Sequence, residues 1–435
     1  MSGEAEPKSI LSINAGSSSL KIKLFDIVRN DKAPVPKLIL KSTISKLTSP
    51  SAKFTFKIVD KKEYDVEAQE IENVHTSVEA FNHILKHSRN DDNGFGNKRV
   101  DHITHICHRV VHGGEIGDRG PLVVNNRVIK EVEELATLAP LHNGPAESIL
   151  KEAIRALPEA RNIAFFDSSF HSTLPDFIRT YPIDQKVAKE KKLRKYGFHG
   201  LSYSWVLKNV AKFLGKEKEE TSIIALHLGS GASICAIKNG KSYDTSMGLT
   251  PLEGLPGGSR SGTVDPSLIF HYSSRPGEKD KVLSSVELSH AENILNSGSG
   301  FKALVGTSDF SEILATDPPT HESELTVNIY LDRILGFLGS YWLKLKGGTG
   351  GVDAIVFSGG IGEGSSEFRK MIIDGLAGLN GEFDGLDNER NKKGSEGNEV
   401  VYPIGDGEGK IKFLVCETDE ELQMVEECLS TKKLW

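Results

Sequence analysis

Small and hydroxyl-bearing residues interrupt an apolar pattern near the beginning of the chain. Gly16 and the serines at positions 17 to 19 follow an apolar run that starts at Ile10, and an alternating segment through Lys21 and Leu24 follows them. Backbone amides and hydroxyls in such a turn can donate hydrogen bonds to a phosphate, because glycine and serine let oxygens approach the backbone closely. The GxxxxGK[ST] motif of a Walker P-loop is absent, and the following segment alternates as a strand does. The pattern therefore predicts a hairpin turn that either binds phosphate or is an ordinary turn.

Two further glycine-rich turns follow apolar runs later in the chain. Residues 223–241 repeat the first design, with an apolar run, a turn at residues 229–233 and a second alternating arm. A third turn, at residues 358–363, follows the apolar run 354–357. A second copy this far along the chain indicates duplication of a whole domain rather than a short solenoid repeat. Together the three turns predict a two-lobed protein that holds a nucleotide.

Four side chains able to do chemistry stand in unusual places. Arg109 lies inside the β-branched run 103–111, where a guanidinium needs a structural carboxylate or a bound anion, and the sequence leaves both open. Asp167 follows the apolar strand 163–166, a position that active-site carboxylates and helix caps both use. His199 lies between glycines, and Arg260 has small neighbours in the glycine-dense segment 245–266, which is typical of a functional loop.

A metal site is not favoured by the histidines at positions 102, 105, 108 and 112. A strand would distribute these side chains over both of its faces, and no nearby cysteine or carboxylate completes a ligand set.

The composition narrows the possible functions. The chain has 435 residues, enough for two domains, and its 38% hydrophobic and 26% charged residues are typical of a globular protein. A net charge of -7 without a long basic run argues against a nucleic-acid partner. The apolar pattern over residues 325–345 contains Asp332, Arg333 and Lys344, so it predicts a buried amphipathic helix and no membrane partner. The absence of a secretory signal pattern and the four isolated cysteines indicate reduced thiols in the cytoplasm.

Amphipathic periodicity predicts the elements that position these residues. Helices are expected over residues 77–87, 126–138 and 145–157, with Pro145 in the first turn of the third and with Leu141 and His142 in the loop before it. Residues 383–398 are expected to form a polar, mobile insertion. The last helix is predicted to begin with a capping box of Thr418 and Glu421, which leaves Glu420 available to a cation.

Five motifs in a fixed order give the chain a resemblance to a known family. They are NAGSSSLK at 14–21, HRVVHGGE at 108–115, FFDSSFH at 165–171, YGFHG at 196–200 and SRSGTVDP at 259–266. Over nearly its whole length the chain resembles the acetate kinases of the acetate and sugar kinase, Hsp70 and actin superfamily. The resemblance implies an α/β, two-lobed, actin-like ATPase fold of duplicated ribonuclease H-like domains with the active site in the cleft. It also implies a homodimer whose lobes comprise residues 1–166 plus about 420–435, and residues 167–419.

Residue roles follow from the resemblance, position by position. The metal residues are Asn14 and Glu420. The phosphate residues are Ser17, Ser19 and Lys21. The catalytic residues are Arg109, Asp167, His199 and Arg260, and Arg109 also binds the substrate. The pocket for the acetate methyl consists of Val111, Leu141, Phe198 and Pro251. The nucleotide residues are His227, Leu228, Gly229, Ser230, Gly231, Asp309, Phe310, Ser311, Gly360, Ile361 and Gly362. Ser230 stands where the family commonly has asparagine, and Ser311 stands where many members have arginine. The resemblance therefore says least about how the base and ribose are recognised.

The implied reaction is reversible transfer of the ATP γ-phosphoryl to acetate, giving acetyl phosphate and ADP. Mg²⁺ is the implied cofactor, with Mn²⁺ able to substitute. A non-enzymatic nucleotide switch would share the turns, although it gives no reason for Arg109 and Arg260. A relative that phosphorylates propionate or butyrate, or uses pyrophosphate as donor, is a second alternative.

Overall fold

The computed structural model describes most of the chain. The described residues are 8–16, 18–29, 33–47, 49–90, 95, 100–136, 140–272, 290–346, 351–379, 383–395, 397 and 399–435, without the side chains of 140–142 and 346. These residues divide into two compact units, which are Met1–Ser169 with Asp419–Trp435 (unit 1) and Phe170–Thr418 (unit 2). Asp167, which the resemblance assigns to the start of the second lobe, thus belongs to unit 1.

Unit 1 is built on a mixed sheet. Its strands are Ser9–Ala15 (β1), Ser19–Arg29 (β2), Pro34–Ser45 (β3), Ala52–Ile58 (β4), Val66–Ile71 (β5), Ile103–Val110 (β6), Leu122–Val123 (β7) and Arg161–Phe166 (β8). Their order across the sheet is β5-β4-β3-β2-β1-β6-β8-β7. Strands β1 to β3 form antiparallel pairs, whereas β6 runs parallel to both β1 and β8.

Unit 2 is built on a second mixed sheet. Its strands are Ile223–Leu228 (β9), Ala232–Lys238 (β10), Lys241–Thr245 (β11), Ala354–Ser358 (β12), Val401–Pro403 (β13) and Lys412–Cys416 (β14). Their order is β11-β10-β9-β12-β14-β13, with antiparallel pairs from β9 to β11 and β12 parallel to both β9 and β14. This order matches the central strands β3-β2-β1-β6-β8 of unit 1, and each sheet adds a short antiparallel edge strand, β7 or β13. The predicted duplication is therefore confirmed.

Helices cover the faces of the two sheets. The α-helices are Ser77–Arg89 (α1), Gly114–Gly117 (α2), Asn126–Ala136 (α3), Pro140–Ala156 (α4), Asp176–Arg179 (α5), Gln185–Glu190 (α6), Gly200–Leu214 (α7), Leu268–Tyr272 (α8), His290–Ser297 (α9), Gly300–Val305 (α10), Phe310–Leu314 (α11), His321–Lys346 (α12), Gly359–Gly364 (α13), Ser366–Gly375 (α14), Asn388–Lys393 (α15) and Glu420–Ser430 (α16). Short 3-10 helices are Lys62–Tyr64, Asp167–Thr173, Lys218–Glu220 and Leu376–Gly378. In the described part of the chain, no helix combines the length and apolar character that crossing a bilayer requires.

The hairpin β1–β2 forms where the sequence predicts it. Ile22, Leu24 and Leu20 alternate along β2 and are at most 2% exposed. Such alternation fixes the register, because a slip of one residue would turn these side chains away from the core. The backbone N–H of Gly16 donates to the carbonyl of Ser19 at 2.8 Å and closes the turn. The C-terminal helix α16 packs against β1 and β6 of the same sheet.

The predicted boundary before α4 is wrong. The helix begins at Pro140, so Leu141 and His142 lie within it and Pro145 stands in its interior. The side chain of Asn143 donates to the carbonyl of His112 and accepts from the N–H of His112, both at 2.9 Å. These two hydrogen bonds fix this early turn to the end of β6, which is a tertiary contact that local helix signals do not contain.

Three smaller predictions also differ from the structure. Residues 359–364 form helix α13 rather than an open glycine turn. Asp419, not Thr418, caps α16, because the Asp419 carboxylate accepts from the N–H of Leu422 at 2.8 Å. The segment predicted to be a mobile insertion contains α15, and its described Asn391 is buried against Arg369, whose guanidinium donates to Asn391 Oδ1 at 2.8 Å.

Candidate active site

A buried ion pair stands at the ends of two neighbouring strands of unit 1. Arg109 lies near the end of β6, and Asp167 follows the last residue of the parallel strand β8. The Arg109 guanidinium donates to both Asp167 oxygens, with Nη2 to Oδ2 at 2.6 Å and Nε to each oxygen at 3.1 Å. Asp167 is fully buried, while the Arg109 side chain keeps 15% of its surface exposed. The sequence left a carboxylate or a ligand as the partner of Arg109, and the structure shows the carboxylate.

Asn14 connects this ion pair to the start of helix α16. Its Oδ1 accepts from Arg109 Nη1 at 2.9 Å, and its Nδ2 donates to Glu420 Oε2 and to Glu421 Oε1, each at 2.8 Å. Glu420 Oε2 also lies 3.4 Å from Arg109 Nη1. Burial alone would lower the pKa of Arg109, but Asp167 and Glu420 outweigh it and raise this pKa above the usual arginine value. The guanidinium therefore stays charged.

Lys23 compensates the remaining acidic charge at the start of α16. Its Nζ lies 2.6 Å from Asp419 Oδ2 and 3.4 Å from Glu421 Oε2. Burial alone would lower the pKa of Lys23, whereas Glu421 and Asp419 raise it above its ordinary value. Three acidic residues at a helix N-terminus also interact favourably with the helix dipole. Glu421, which is 6% exposed, and Lys23 were not among the predicted site residues. The run of acidic residues after Thr418 was the available signal.

The donor set of unit 1 fits a magnesium ion. Mg²⁺ prefers carboxylate and carbonyl oxygens and is commonly held by one or two carboxylates together with waters and substrate phosphates. Glu420 and Asp167 supply carboxylates, and Asn14 supplies an amide oxygen, all joined through Arg109. Among the described residues, no group of three or more histidine, cysteine or acidic side chains could hold a metal by itself. The arrangement thus suits a metal that arrives with phosphate better than a permanent cage.

The predicted phosphate turn of unit 1 is only partly described. Ser19 is half-buried and Lys21 is exposed at the tip of the hairpin, whereas Ser17 lies outside the described residues. Lys21 pairs with Asn14 across the two strands, so the turn and the ionic network share one end of the sheet.

His199 is the centre of the polar groups in unit 2. It precedes helix α7 with the left-handed backbone angles φ 59° and ψ 24°, which are uncommon for residues other than glycine and typical of functional sites. Its ring stacks on His227 with the ring centroids 4.2 Å apart. Its Nδ1 lies 2.8 Å from Ser233 Oγ, which in turn lies 2.6 Å from the hydroxyl of Tyr203. The sequence placed Ser233 at the end of the second glycine-rich turn, whereas the structure places it on strand β10. Tyr203 was not predicted, since a tyrosine in a helix carries no distinguishing pattern.

Arg260 and His199 converge on the turn between β9 and β10. A Cβ added to Gly231 would lie 3.1 Å from Arg260 Nη1 and 3.7 Å from His199 Nε2. The loop that carries Arg260 is fixed to the same turn, because the N–H of Gly258 donates to the carbonyl of Ser230 at 3.1 Å. The structure therefore brings together two predicted catalytic residues and the second predicted phosphate turn.

Helix α13 packs against the same turn of unit 2. A Cβ on Gly359, whose φ is 74°, would lie 2.7 Å from the carbonyl oxygen of Leu228, so only glycine fits there. Glu363 accepts from the N–H of Gly359 at 2.8 Å and from the N–H and hydroxyl of Thr418 at 3.0 and 2.9 Å. Gly360 is exposed, and a Cβ there would meet no atom within 4 Å. The predicted nucleotide residues 360–362 thus begin a helix beside the turn at 229–231.

The remaining predicted nucleotide residues lie at helix α11. Asp309 caps this helix by accepting from the N–H of Ser311 at 2.9 Å, and both residues are exposed. Phe310 is 3% exposed and packs against Phe301, Tyr330 and Phe368 in the core of unit 2. The Phe310 side chain therefore anchors helix α11 to the core of unit 2.

The residues predicted to form the acetate pocket are shared by the two units. Val111 is buried in unit 1, and Phe198 and Pro251 are buried in unit 2. The backbone of Leu141 lies in α4, and its side chain is outside the description.

Comparison with known proteins identifies the family. The model of the acetokinase family matches residues 9–426. A probable acetate kinase of Emericella nidulans is 44% identical over 430 residues, which cover 98% of this chain and 99% of that protein. Among solved structures, a propionate kinase of Francisella tularensis has a TM-score of 0.79 at 31% identity, with 98% of this chain and 100% of that chain covered. An acetate kinase of Porphyromonas gingivalis has a TM-score of 0.76 at 29% identity, with 98% and 99% covered. The chain therefore belongs to the acetokinase family of phosphotransferases.

Proposed function

We propose that this chain transfers the γ-phosphoryl group of ATP directly to acetate and reversibly forms acetyl phosphate and ADP. The observation that carries the proposal is the convergence of Arg260 and His199 on the backbone turn at Gly231. A guanidinium, an imidazole and bare backbone amides are the donors that a transferring phosphoryl group needs. A nucleotide switch without a transfer step would have no use for this convergence.

The proposed reaction needs several hydrogen-bond donors and no general base. A carboxylate attacks phosphorus without losing a proton, so the protein has only to align the reactants and to neutralise charge on the equatorial oxygens. Preorganised donors such as Arg260 and His199 do this without reorganisation during the reaction. Arg109 of unit 1 is proposed as the second guanidinium.

In unit 1, the proposed cofactor Mg²⁺ would be held by Glu420 and Asp167, directly or through water, with Asn14 beside them. Bound there, the ion would neutralise phosphate charge. The chain's own contribution is to keep both carboxylates in place, and Arg109 does so through its hydrogen bond to Asp167 and its ion pair with Glu420. Mn²⁺ is expected to replace Mg²⁺, since both accept oxygen ligands.

ATP is the proposed donor because the chain offers backbone surface for a nucleoside. Gly360 is exposed at the start of α13, beside the turn at residues 229–231, so a flat group can lie against the backbone there. Pyrophosphate would leave this surface unused. Ser311 lacks the charged planar group that an arginine would stack on a base, so weak discrimination among purines is proposed.

Acetate is the proposed acceptor, and propionate is the alternative that one observation favours. The likeness to the propionate kinase of Francisella tularensis is as extensive as the likeness to acetate kinases. The family resemblance supports Val111, Leu141, Phe198 and Pro251 as the residues that would choose between the acids. One methylene group in such a pocket changes the preference by about 1 to 3 kcal/mol.

A hydroxamate assay across donors and acids tests the proposal. The purified chain is incubated with Mg²⁺, hydroxylamine, one donor (ATP, GTP, ITP or pyrophosphate) and one acid (acetate, propionate or butyrate). The expected result is the highest kcat/KM with ATP and acetate, and measurable turnover with GTP and ITP. Preference for propionate would make the chain a propionate kinase. Absence of hydroxamate with every acid would favour a nucleotide switch.

A homodimer in the cytoplasm completes the proposal. All four cysteines are buried free thiols, as expected where thiols stay reduced. Light scattering of the purified chain should give twice the mass of 47.5 kDa that one copy has. A monomer at micromolar concentration would contradict the dimer without affecting the proposed reaction.

A further inference from the structure

We propose that Ser233 and Tyr203 are positioning residues that hold His199 with its proton on Nε2, so that Nε2 donates to the transferring phosphoryl group. The inference deepens the proposed function and depends on it for the role of His199. The evidence for the tautomer itself is independent, because it comes from a chain of hydrogen bonds within unit 2.

The chain of hydrogen bonds begins at Tyr203. This side chain is fully buried on helix α7, and among the described residues Ser233 Oγ is the side-chain partner of its hydroxyl. Burial raises the pKa of Tyr203 well above its ordinary value, so the hydroxyl keeps its proton. A buried hydroxyl proton without an acceptor is costly. The Tyr203 hydroxyl therefore donates to Ser233 Oγ, which lies 2.6 Å away.

Ser233 links Tyr203 to His199, accepting one hydrogen bond and donating the other. Its hydroxyl is fully buried on strand β10. Among the described residues, Tyr203 and His199 are the only side chains hydrogen-bonded to it. Since Ser233 accepts from Tyr203, its own proton is donated to His199 Nδ1 at 2.8 Å. A ring nitrogen that accepts carries no proton, so the neutral ring of His199 has its proton on Nε2.

The geometry also restricts the orientation of the imidazole ring. The left-handed backbone of His199 and the stacking of its ring on His227 leave Nδ1 facing Ser233. Nε2 then lies on the side of the Gly231 turn, where Arg260 Nη1 also lies. The other tautomer would present an unprotonated Nε2, which is an acceptor, to a negatively charged phosphoryl group.

Nitrogen NMR of the full chain, labelled at histidine, reads the tautomer without any assay of activity. The signal of His199 is assigned by its loss in His199→Gln. In the unmodified chain, Nδ1 should have the shift of an unprotonated nitrogen and Nε2 that of a protonated one. Tyr203→Phe and Ser233→Ala should each give a mixture of tautomers. Both variants should lower kcat at least about tenfold with less than threefold change in either KM, as expected when an orienting hydrogen bond is lost.

Tyr330→Phe is the matched control. Tyr330 is an equally buried tyrosine of unit 2, and its hydroxyl has no hydrogen-bond partner among the described residues. Loss of this hydroxyl should leave both the tautomer and kcat unchanged. A protonated Nδ1 in the unmodified chain, or an unchanged tautomer in both Tyr203→Phe and Ser233→Ala, would overturn the inference. Failure of the chain to make acyl phosphate would instead contradict the proposed function and leave the tautomer result standing.

Discussion

The hairpins at the centre of the two sheets have the same backbone plan and different polar groups. In unit 1, the last pair of β1 and β2 is Ala15 with Leu20, and the pair before it is Asn14 with Lys21. In unit 2, the last pair of β9 and β10 is Leu228 with Ala232, and the pair before it is His227 with Ser233. In each hairpin, the residue pair nearest the turn is thus apolar, and the pair before it is polar.

The neighbouring parallel strand shows the same contrast. On β6, Arg109 comes directly after His108, which pairs with Ile13 of the hairpin. On β12, Ser358 pairs with His227 of the other hairpin, and its hydroxyl donates to a carbonyl of β9. The duplicated fold therefore determines where polar groups stand, and the residue types decide their chemistry. Unit 1 forms an ionic network, whereas unit 2 forms a chain of neutral hydrogen bonds beside one arginine.

Removal of Arg109 or Arg260 should have the largest effect on turnover. The two variants should differ in stability, which distinguishes the ionic network of unit 1 from the hydrogen bonds of unit 2. Arg109→Ala and Arg260→Ala should each lower kcat about a hundred- to a thousandfold, because each removes a preorganised donor worth roughly 3 to 4 kcal/mol. Arg109→Ala alone should also lower the free energy of unfolding by about 3 to 5 kcal/mol, since it removes the guanidinium that pairs with the buried Asp167. Lysine should rescue turnover only partly at both positions.

Steady-state kinetics and denaturant unfolding check both parts of this prediction. Arg155→Ala is the control, because Arg155 is an exposed arginine of unit 1 whose ion-pair partner, within the described part of the chain, is Glu152 on the same helix. Near-normal turnover of both active-site variants would show that the arginines do not clamp the phosphoryl group. Equal stability of the two variants would contradict the contrast between the units.

Acid should destabilise both units through buried neutral histidines, which include His108 of unit 1 and His171 of unit 2. Burial lowers the pKa of His108 to about 4 in unit 1 and the pKa of His171 to about 4 in unit 2. The unfolded chain binds these protons near pH 6.5 and the folded chain only near pH 4, so stability is lost as the pH falls between these values. Each histidine should lower the free energy of unfolding by roughly 3 kcal/mol once the pH is below its folded-state pKa.

Thermal unfolding midpoints between pH 7 and pH 4 measure this loss. His108→Gln and His171→Gln should each flatten the pH dependence, even where they lower stability at pH 7. Parallel curves for the variants and the unmodified chain would show that other groups cause the acid sensitivity.

The two hairpin turns should differ in their tolerance of a methyl group. Gly231→Ala should lower kcat/KM for ATP about tenfold, because the added Cβ would lie only 3.1 Å from Arg260 Nη1 and must displace it. Gly16→Ala is the matched variant in unit 1, where the nearest atom, the carbonyl oxygen of Ser19, would be 3.5 Å away. This variant should keep most of its activity. Equal losses in the two variants would contradict the tight approach in unit 2.

The smallest effect is expected at the acid pocket. Val111→Ala should raise the preference for propionate over acetate about fivefold or more, since a methylene in an apolar pocket is worth about 1 to 3 kcal/mol. The ratio of kcat/KM for the two acids is the measurement. An unchanged ratio would remove Val111 from the pocket and leave the choice of acid to the other proposed pocket residues.

Local patterns predicted both hairpins, the strand with Arg109 and the strand that delivers Asp167. These features depend on the alternation of apolar and polar residues and on the position of glycines, so a short stretch of sequence is enough to predict them. The family motifs marked His199 and Arg260, but no pattern marked Tyr203 or Lys23, and Ser233 was predicted only as part of a turn. Their roles arise from contacts between residues far apart in the chain.

The wrong predictions have the same origin. Asn143 secures the early turn of α4 to the end of β6, although local signals favoured a start at Pro145. Thr418 contacts Glu363 instead of capping α16, and Asp419 takes the capping position. Buried Arg369 orders the segment around Asn391, which composition alone suggested to be mobile. In each case a tertiary hydrogen bond overrides the local preference.

Oxygen tracing tests attack of the acetate carboxylate on the transferred phosphorus most closely. The chain is incubated with Mg²⁺, ATP and acetate labelled with ¹⁸O in both oxygens, and phosphorus NMR follows the products. Direct attack of the carboxylate predicts acetyl phosphate whose phosphorus bears one ¹⁸O, formed in equal amount with ADP. Acetyl phosphate without ¹⁸O on phosphorus, or ADP with inorganic phosphate alone, would contradict the account.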